Sequence, residues 1–367
     1  MGDPRIENLA KILVQYSTKV KPGDWVWIES NIIAQPLVKE VVRHVLKAGG
    51  RPTLQFSSDD ITEIALQEMN EDQIQWISPV DKILYEQADV RIVIMASSNT
   101  RVLTGVDPKK MQAFGLARRS LFNTYMQRSA SGSLRWTLTQ YPCPAYAQDA
   151  DMSLREYEDF VYAATFADQP DPIQAWIDVE QKQQRLVEWL KGKQEVVVRG
   201  PNCDLKLSIA GRSFINSTAT HNVPSGEIYT SPLEDSANGW IRFTYPAIHL
   251  GREVDGIELE FKDGKVVNAR AAKNEDYLLA MLDSDAGARY LGEFAIGTNY
   301  SIQKFTRSIL FDEKIGGSIH LAVGAGFPEI GGKNESSIHW DMICDMRDNS
   351  EIWVDGELFY KNGQFVV

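Results

Sequence analysis

A chain of 367 residues with 43% apolar and 24% charged side chains has core enough for two domains and the make-up of a soluble globular protein. Its formal charge of −12, from 50 acidic against 38 basic residues, repels phosphate backbones and anionic lipid, so neither nucleic acid nor membrane is expected as a partner. No run of about 18 apolar residues occurs, the amphipathic N-terminus lacks a signal-peptide core, and Cys143, Cys203 and Cys344 form no disulfide framework or C-x-x-C pair; a cytoplasmic location is expected.

Helical apolar spacing from Ile6 to Val20 leads to a turn at Pro22-Gly23-Asp24 and a buried strand, WVWIE. PLVKEVVRHVLKAGG is the next helix, opened by Pro36 and closed by Gly49-Gly50. TLQFS and VRIVIMAS are strands, the second apolar enough to be covered on both faces. DPKKMQAFGLARRSLFNTYMQRSA predicts one helix, LRWTLTQYP a strand, and 153–192 further helix with Ser153 and Glu156 as a capping box. This βαβ rhythm predicts an open, mostly parallel α/β sheet domain over residues 1–192.

After Gly192 the pattern turns to alternating, β-branched runs punctuated by Asp263-Gly264, Asp355-Gly356 and Asn362-Gly363 as hairpin turns. One helix is expected from Asn274 to about Tyr290. Residues 193–367 therefore read as a second, β-rich α+β domain.

The chemistry concentrates in that half. HLAVGAGFPEIGGKNESSIHWDMICD holds two of the five histidines around a glycine-rich turn. It lacks the G-x-G-x-x-G order, Pro328 interrupts any helix opening, and Asn334 after Lys333 breaks the G-x-x-x-x-G-K-[ST] pattern. No G-x-S-x-G motif is present. On a strand, His339 and Asp341 project to one face, with Trp340 and Met342 on the other. His320, on the apolar strand IHLAV, joins them if the intervening residues return as a hairpin. Such a set is either a ligand group or a hydrogen-bonded surface pair, and both readings stand at this point. Glu227 follows the Pro224-Ser225-Gly226 turn, and Glu293 lies in the apolar stretch YLGEFAIGTN. Buried carboxylates need a partner, either a divalent cation or an arginine such as Arg242.

Four segments in order, HNVPSGEIYTSPLEDSANGWIRF, LGEFAIGTN, DEKIGGSIHLAVG and PEIGGKNESSIHWDMICDMR, resemble the metallo-aminopeptidases of the aminopeptidase T, aminopeptidase S and PepS group. The resemblance is strong over about residues 221–347. It implies an α/β N-terminal domain, a catalytic C-terminal domain and a homodimer enclosing the active sites. It also implies two divalent ions (zinc, cobalt or manganese) and release of N-terminal residues from short peptides. Carried over by motif, Glu227 and Glu293 become carboxylate ligands, the second bridging, and catalytic candidates for accepting the water's proton. His320, His339 and Asp341 complete the site, with Glu313 as a further ligand candidate.

One position departs from that group, which has a tyrosine seven residues after the first metal-binding histidine. Here it is Phe327: a neighbouring donor such as Tyr229 or Lys333 substitutes, or the second metal does the polarising and the change is ordinary drift, or the peptidase is weak or inactive, or the chemistry has shifted. His320, His339 and Asp341 also form a two-histidine, one-carboxylate set. A mononuclear iron ring-cleaving dioxygenase of the dihydroxypyridine type is therefore the alternative. Retention of Glu227 and Glu293 argues against it.

Overall fold

The structure, a computed structural model, describes residues 2–249 and 251–367. They form two compact units, 1–176 with 219–224, and 177–218 with 225–367.

In the first unit, strands Trp25–Asn31, Arg51–Ser57, Val90–Met95, Arg135–Gln140 and Asn222–Val223 make a five-stranded sheet, every pair of it parallel. The last strand is contributed by the short 219–224 segment. Helix Gln35–Lys47 starts with Pro36 in its first turn and ends at Gly49, which takes a positive φ of 81°. The Ser153–Glu156 capping box opens helix Leu154–Ala164. Val90–Met95 buries only alternate residues fully, so its second face is half-covered rather than sealed. The helix expected over DPKKM…RSA divides at Arg118 into Pro108–Ala117 and Arg119–Ala130. Arg118 leaves helical geometry there, and its guanidinium donates to the Ile74, Phe114 and Trp76 carbonyls.

The second unit has two main antiparallel sheets. An eight-stranded sheet runs from Lys265–Arg270 across to Gln364–Phe365, with all three of its predicted Asp-Gly and Asn-Gly turns at positive φ at both residues. The other sheet has five strands in the order His339–Asp345, Ser318–Gly324, Leu291–Gly297, Glu227–Thr230 and Ile215–Ser217. Leu205, Leu259, Leu321, Trp340 and Met342 belong to the apolar core of this unit, which lies behind the five-stranded sheet. The helix expected to reach Tyr290 is shorter, Glu275–Leu282. Asp283 leaves helical geometry, and Asp285 then turns its carboxylate onto the Gly287 amide.

Candidate metal centre

The register of the five-stranded sheet builds the site. Residues opposite one another in adjacent strands share a face, as do residues two apart along one strand. Glu227 opposes Gly297, Tyr229 opposes Ala295, and Ala295 opposes His320. Glu293 opposes Ala322, Ala322 opposes Asp341, and Gly324 opposes His339. One face therefore carries Glu227, Tyr229, Glu293, His320, His339 and Asp341. The residues between them are small: Ala295, Gly297, Ala322 and Gly324. Ala295 and Ala322 leave room over the sheet for polar side chains and an ion, while the Ile315 carbonyl packs over Gly297. The hairpin joining Ser318–Gly324 to His339–Asp345 turns through GAGFPEIGGKN, so His320 meets the His339 and Asp341 pair.

Glu293 turns one carboxylate oxygen to each histidine, Oε1 to His320 Nε2 at 3.5 Å and Oε2 to His339 Nε2 at 3.1 Å. His320 Nε2 is also 3.5 Å from Glu227 Oε2, and His339 Nε2 is 3.6 Å from Asp341 Oδ1. His339 Nδ1 lies 2.8 Å from the Ala325 carbonyl. Donation there assigns the proton to Nδ1 and leaves Nε2 to face the carboxylates, as a ligating imidazole requires. Two groups are close enough to hold an ion: Glu293, His339 and Asp341, and Glu313, His320 and Asp341, each with ligand atoms within 4.8 Å of one another. Five of the six sequence-derived candidates fall in these groups, Asp341 in both, and Glu227 adjoins them through His320.

The electrostatics are those of a tightly packed cluster of opposite charges. Burial pulls the His339 imidazole down, but Asp341 and Glu293 outweigh it and raise it to about 11. Burial likewise opposes the charged form of His320, and Glu293, Glu227 and Asp341 raise it nonetheless. Burial raises the Asp341 carboxyl, yet His339, His320 and Lys314 bring it down to about 2. Glu293 is lowered in the same way, against burial, by His320 and His339. Glu227 Oε2, Asp341 Oδ1 and His320 Nδ1 are buried with no hydrogen bond. Orphaned acceptors beside imidazoles, with no thiolate, fit a divalent cation of the zinc, cobalt or manganese type.

Two contributors were not legible in the sequence. Lys314 has a fully buried side chain, with Nζ 3.6 Å from Glu227 Oε1 and in a short contact with Glu313 Oε1. Gln183, also buried, donates Nε2 to the Glu227 carbonyl at 3.0 Å and accepts from Thr298 Oγ1 at 2.6 Å, fixing the strand that bears Glu227. Arg242 is not the partner of a site carboxylate. It pairs with Glu258 on the surface, because the Asn238–Arg242 strand belongs to the other sheet. Lys333 is likewise exposed, with its amide on Glu234.

A model of the thermophilic metalloprotease (M29) family matches residues 2–365. The chain belongs to this family. As an M29 protein it is a hydrolase, and nothing among its relatives favours the dioxygenase alternative. Aminopeptidase 2 of Geobacillus stearothermophilus is 27% identical, with 94% of this chain and 93% of the relative covered. Aminopeptidase AmpS of Bacillus subtilis is 26% identical, with 98% of each covered. The solved structure of wild-type AmpT from Thermus thermophilus superposes with a TM-score of 0.86 over 99% of both chains at 22% identity, so this M29 chain shares its fold.

Proposed function

We propose that the protein is an aminopeptidase that releases N-terminal residues from short peptides, working through two divalent ions. The observation that carries the reading is the pair of ligand groups meeting at Asp341, four of their five residues on one sheet face and Glu313 at the end of helix Ile309–Asp312, in an M29 chain. Bound ions of this kind supply an acidified water and polarise the scissile carbonyl. Glu293, with one carboxylate oxygen turned to each histidine, would help hold the ions, and with Glu227 it is the candidate acceptor of the water's proton. Gln183 and Lys314 hold Glu227 in place. The chemistry belongs to the β-rich C-terminal domain, 193–367.

Zinc, cobalt or manganese are the ions that this donor set favours. A homodimer is supported by the exposed apolar side chains of helices Pro79–Gln87 and Arg119–Ala130. A cytoplasmic location is supported by three buried cysteines, none of them in a disulfide. No helix among the described residues is long and apolar enough to cross a membrane.

Metal analysis of the purified chain, together with hydrolysis of a leucyl anilide, tests the reading. Two zinc, cobalt or manganese ions per chain with leucine release are expected, and Glu293→Gln abolishes turnover. One iron per chain with oxygen uptake, or turnover unchanged in Glu293→Gln, would sink it.

A further inference from the structure

Peptide hydrolysis gathers negative charge on the carbonyl oxygen as water adds to its carbon, and a hydrogen-bond donor aimed at that oxygen accelerates the step. Phe327 packs against the candidate ligand His339, the two ring centroids 5.3 Å apart in an edge-on contact. It is held there by its backbone amide, which donates to Ser231 Oγ at 2.9 Å. Ser231 in turn donates to the Gly292 carbonyl, next to Glu293. A phenyl ring at this place donates nothing.

A second ring packed against Phe327 does. Tyr229 lies with its centroid 5.0 Å from that of Phe327, tilted by 54°. It is two residues from Glu227 on the same strand face, and Ala295 stands between it and His320 in the register of the sheet. Among the described residues its hydroxyl has no hydrogen bond to another protein group, so it is available to a ligand. Exposed Lys333 offers no comparable placement.

We propose that the Tyr229 hydroxyl donates the hydrogen bond that holds the carbonyl oxygen as it becomes an oxyanion, serving from strand Glu227–Thr230 the role that a hydroxyl at position 327 would serve from the loop. In the step, the water oxygen bonds to the carbonyl carbon, the π pair moves to the carbonyl oxygen, and a site carboxylate takes the water's proton. Collapse returns that pair, breaks the C–N bond and passes the proton to the leaving amine. Tyr229 keeps its own proton throughout.

The proposal rests on the aminopeptidase reading, and the test keeps the two apart. The parent chain must first cleave a leucyl anilide; if it does not, the reading fails before Tyr229 is in question. In Tyr229→Phe, kcat falls about 100-fold with KM within threefold of the parent's, the range typical of one lost oxyanion donor. Binding of a phosphinic dipeptide, a tetrahedral mimic, measured by calorimetry weakens by a similar factor. Leucine binding and metal content stay at parental values. Adding Phe327→Tyr to Tyr229→Phe returns a hydroxyl to the same pair of rings and recovers kcat at least tenfold. A single variant within twofold of the parent in both kcat and phosphinate affinity overturns the proposal. So does a rise in KM alone, and so does a double variant with no recovery.

Discussion

At the scale of single residues, what the sequence discloses depends on whether a side chain's role is local. Glu227 and Glu293 stand out because acidic groups in apolar stretches need partners wherever they lie. Lys314 does not, because in FDEKIGG it reads as one more member of a solvated charge run. Only the fold reveals that its ammonium is fully buried against Glu227 and Glu313. That burial has a measurable cost. Lys314→Met leaves two carboxylates facing each other without their cation, and breaking a buried ion pair costs about 3–5 kcal/mol. In the metal-free chain the urea midpoint falls accordingly, with the slope unchanged. The loss is smaller with a divalent ion bound, since the ion also neutralises Glu227. Equal losses in the two forms would separate Lys314 from the metal site.

At the scale of elements, period-two patterning discloses the face and not the neighbours. H-x-D in a strand puts His339 and Asp341 together, and the structure seats Trp340 and Met342 in the core behind them. That Glu293 and Glu227 come from the second and third strands across is a matter of pairing order, which the sequence pattern leaves open. The shortened helix Glu275–Leu282 has a similar cause. Apolar spacing continues past Asp283, but Asp285 is drawn off by Ser336 and Ser337, which no local rule anticipates.

Gly297 shows how tightly these elements meet. A Cβ there would lie 2.2 Å from the Ile315 carbonyl oxygen, in the segment that follows Glu313 and Lys314. Gly297→Ala pushes that segment off the strand, costs about 1–3 kcal/mol as overpacking does, and weakens metal binding. Calorimetric titration with zinc reads the second effect; unaltered affinity would mean that the 313–315 segment does not support the site.

Asp285 governs the entry to the His339 strand. Its carboxylate accepts from the Ser337 hydroxyl and amide and from Ser336, which hold it well below its ordinary value of 3.8. The folded chain therefore stays deprotonated where the unfolded chain binds a proton. Stability from this group is complete above the ordinary value and is lost as pH falls through the lower folded value. Asp285→Asn removes that dependence and speeds hydrogen exchange at the Ser337 amide at pH 6. Exchange as slow as in the parent chain would show that the contact does not hold the loop.

At the scale of the whole molecule, the exposed surface carries the last inference. Trp76, Val80, Ile83, Phe122 and Met126 are large apolar side chains between 43% and 62% exposed. They come from the Pro79–Gln87 and Arg119–Ala130 helices, which pack side by side, and from Trp76 at the C-terminal cap of the short helix Glu71–Gln75. Isolated exposed apolar residues are ordinary, whereas a contiguous set marks a surface that another surface covers. A second copy is the occupant that the family resemblance implies. Each copy carries a formal charge of −12, so association works against like-charge repulsion and relies on apolar burial. Two consequences follow for sedimentation of the purified chain at micromolar concentration. The parent sediments as a dimer whose dissociation constant falls as ionic strength rises, because salt screens the repulsion and leaves the apolar term. Val80→Asp combined with Phe122→Asp shifts it to monomer while metal content stays the same, since both residues lie in the first unit and every candidate ligand lies in the second. A parent chain that sediments as a monomer, or a double variant that remains dimeric, would remove this face from the interface.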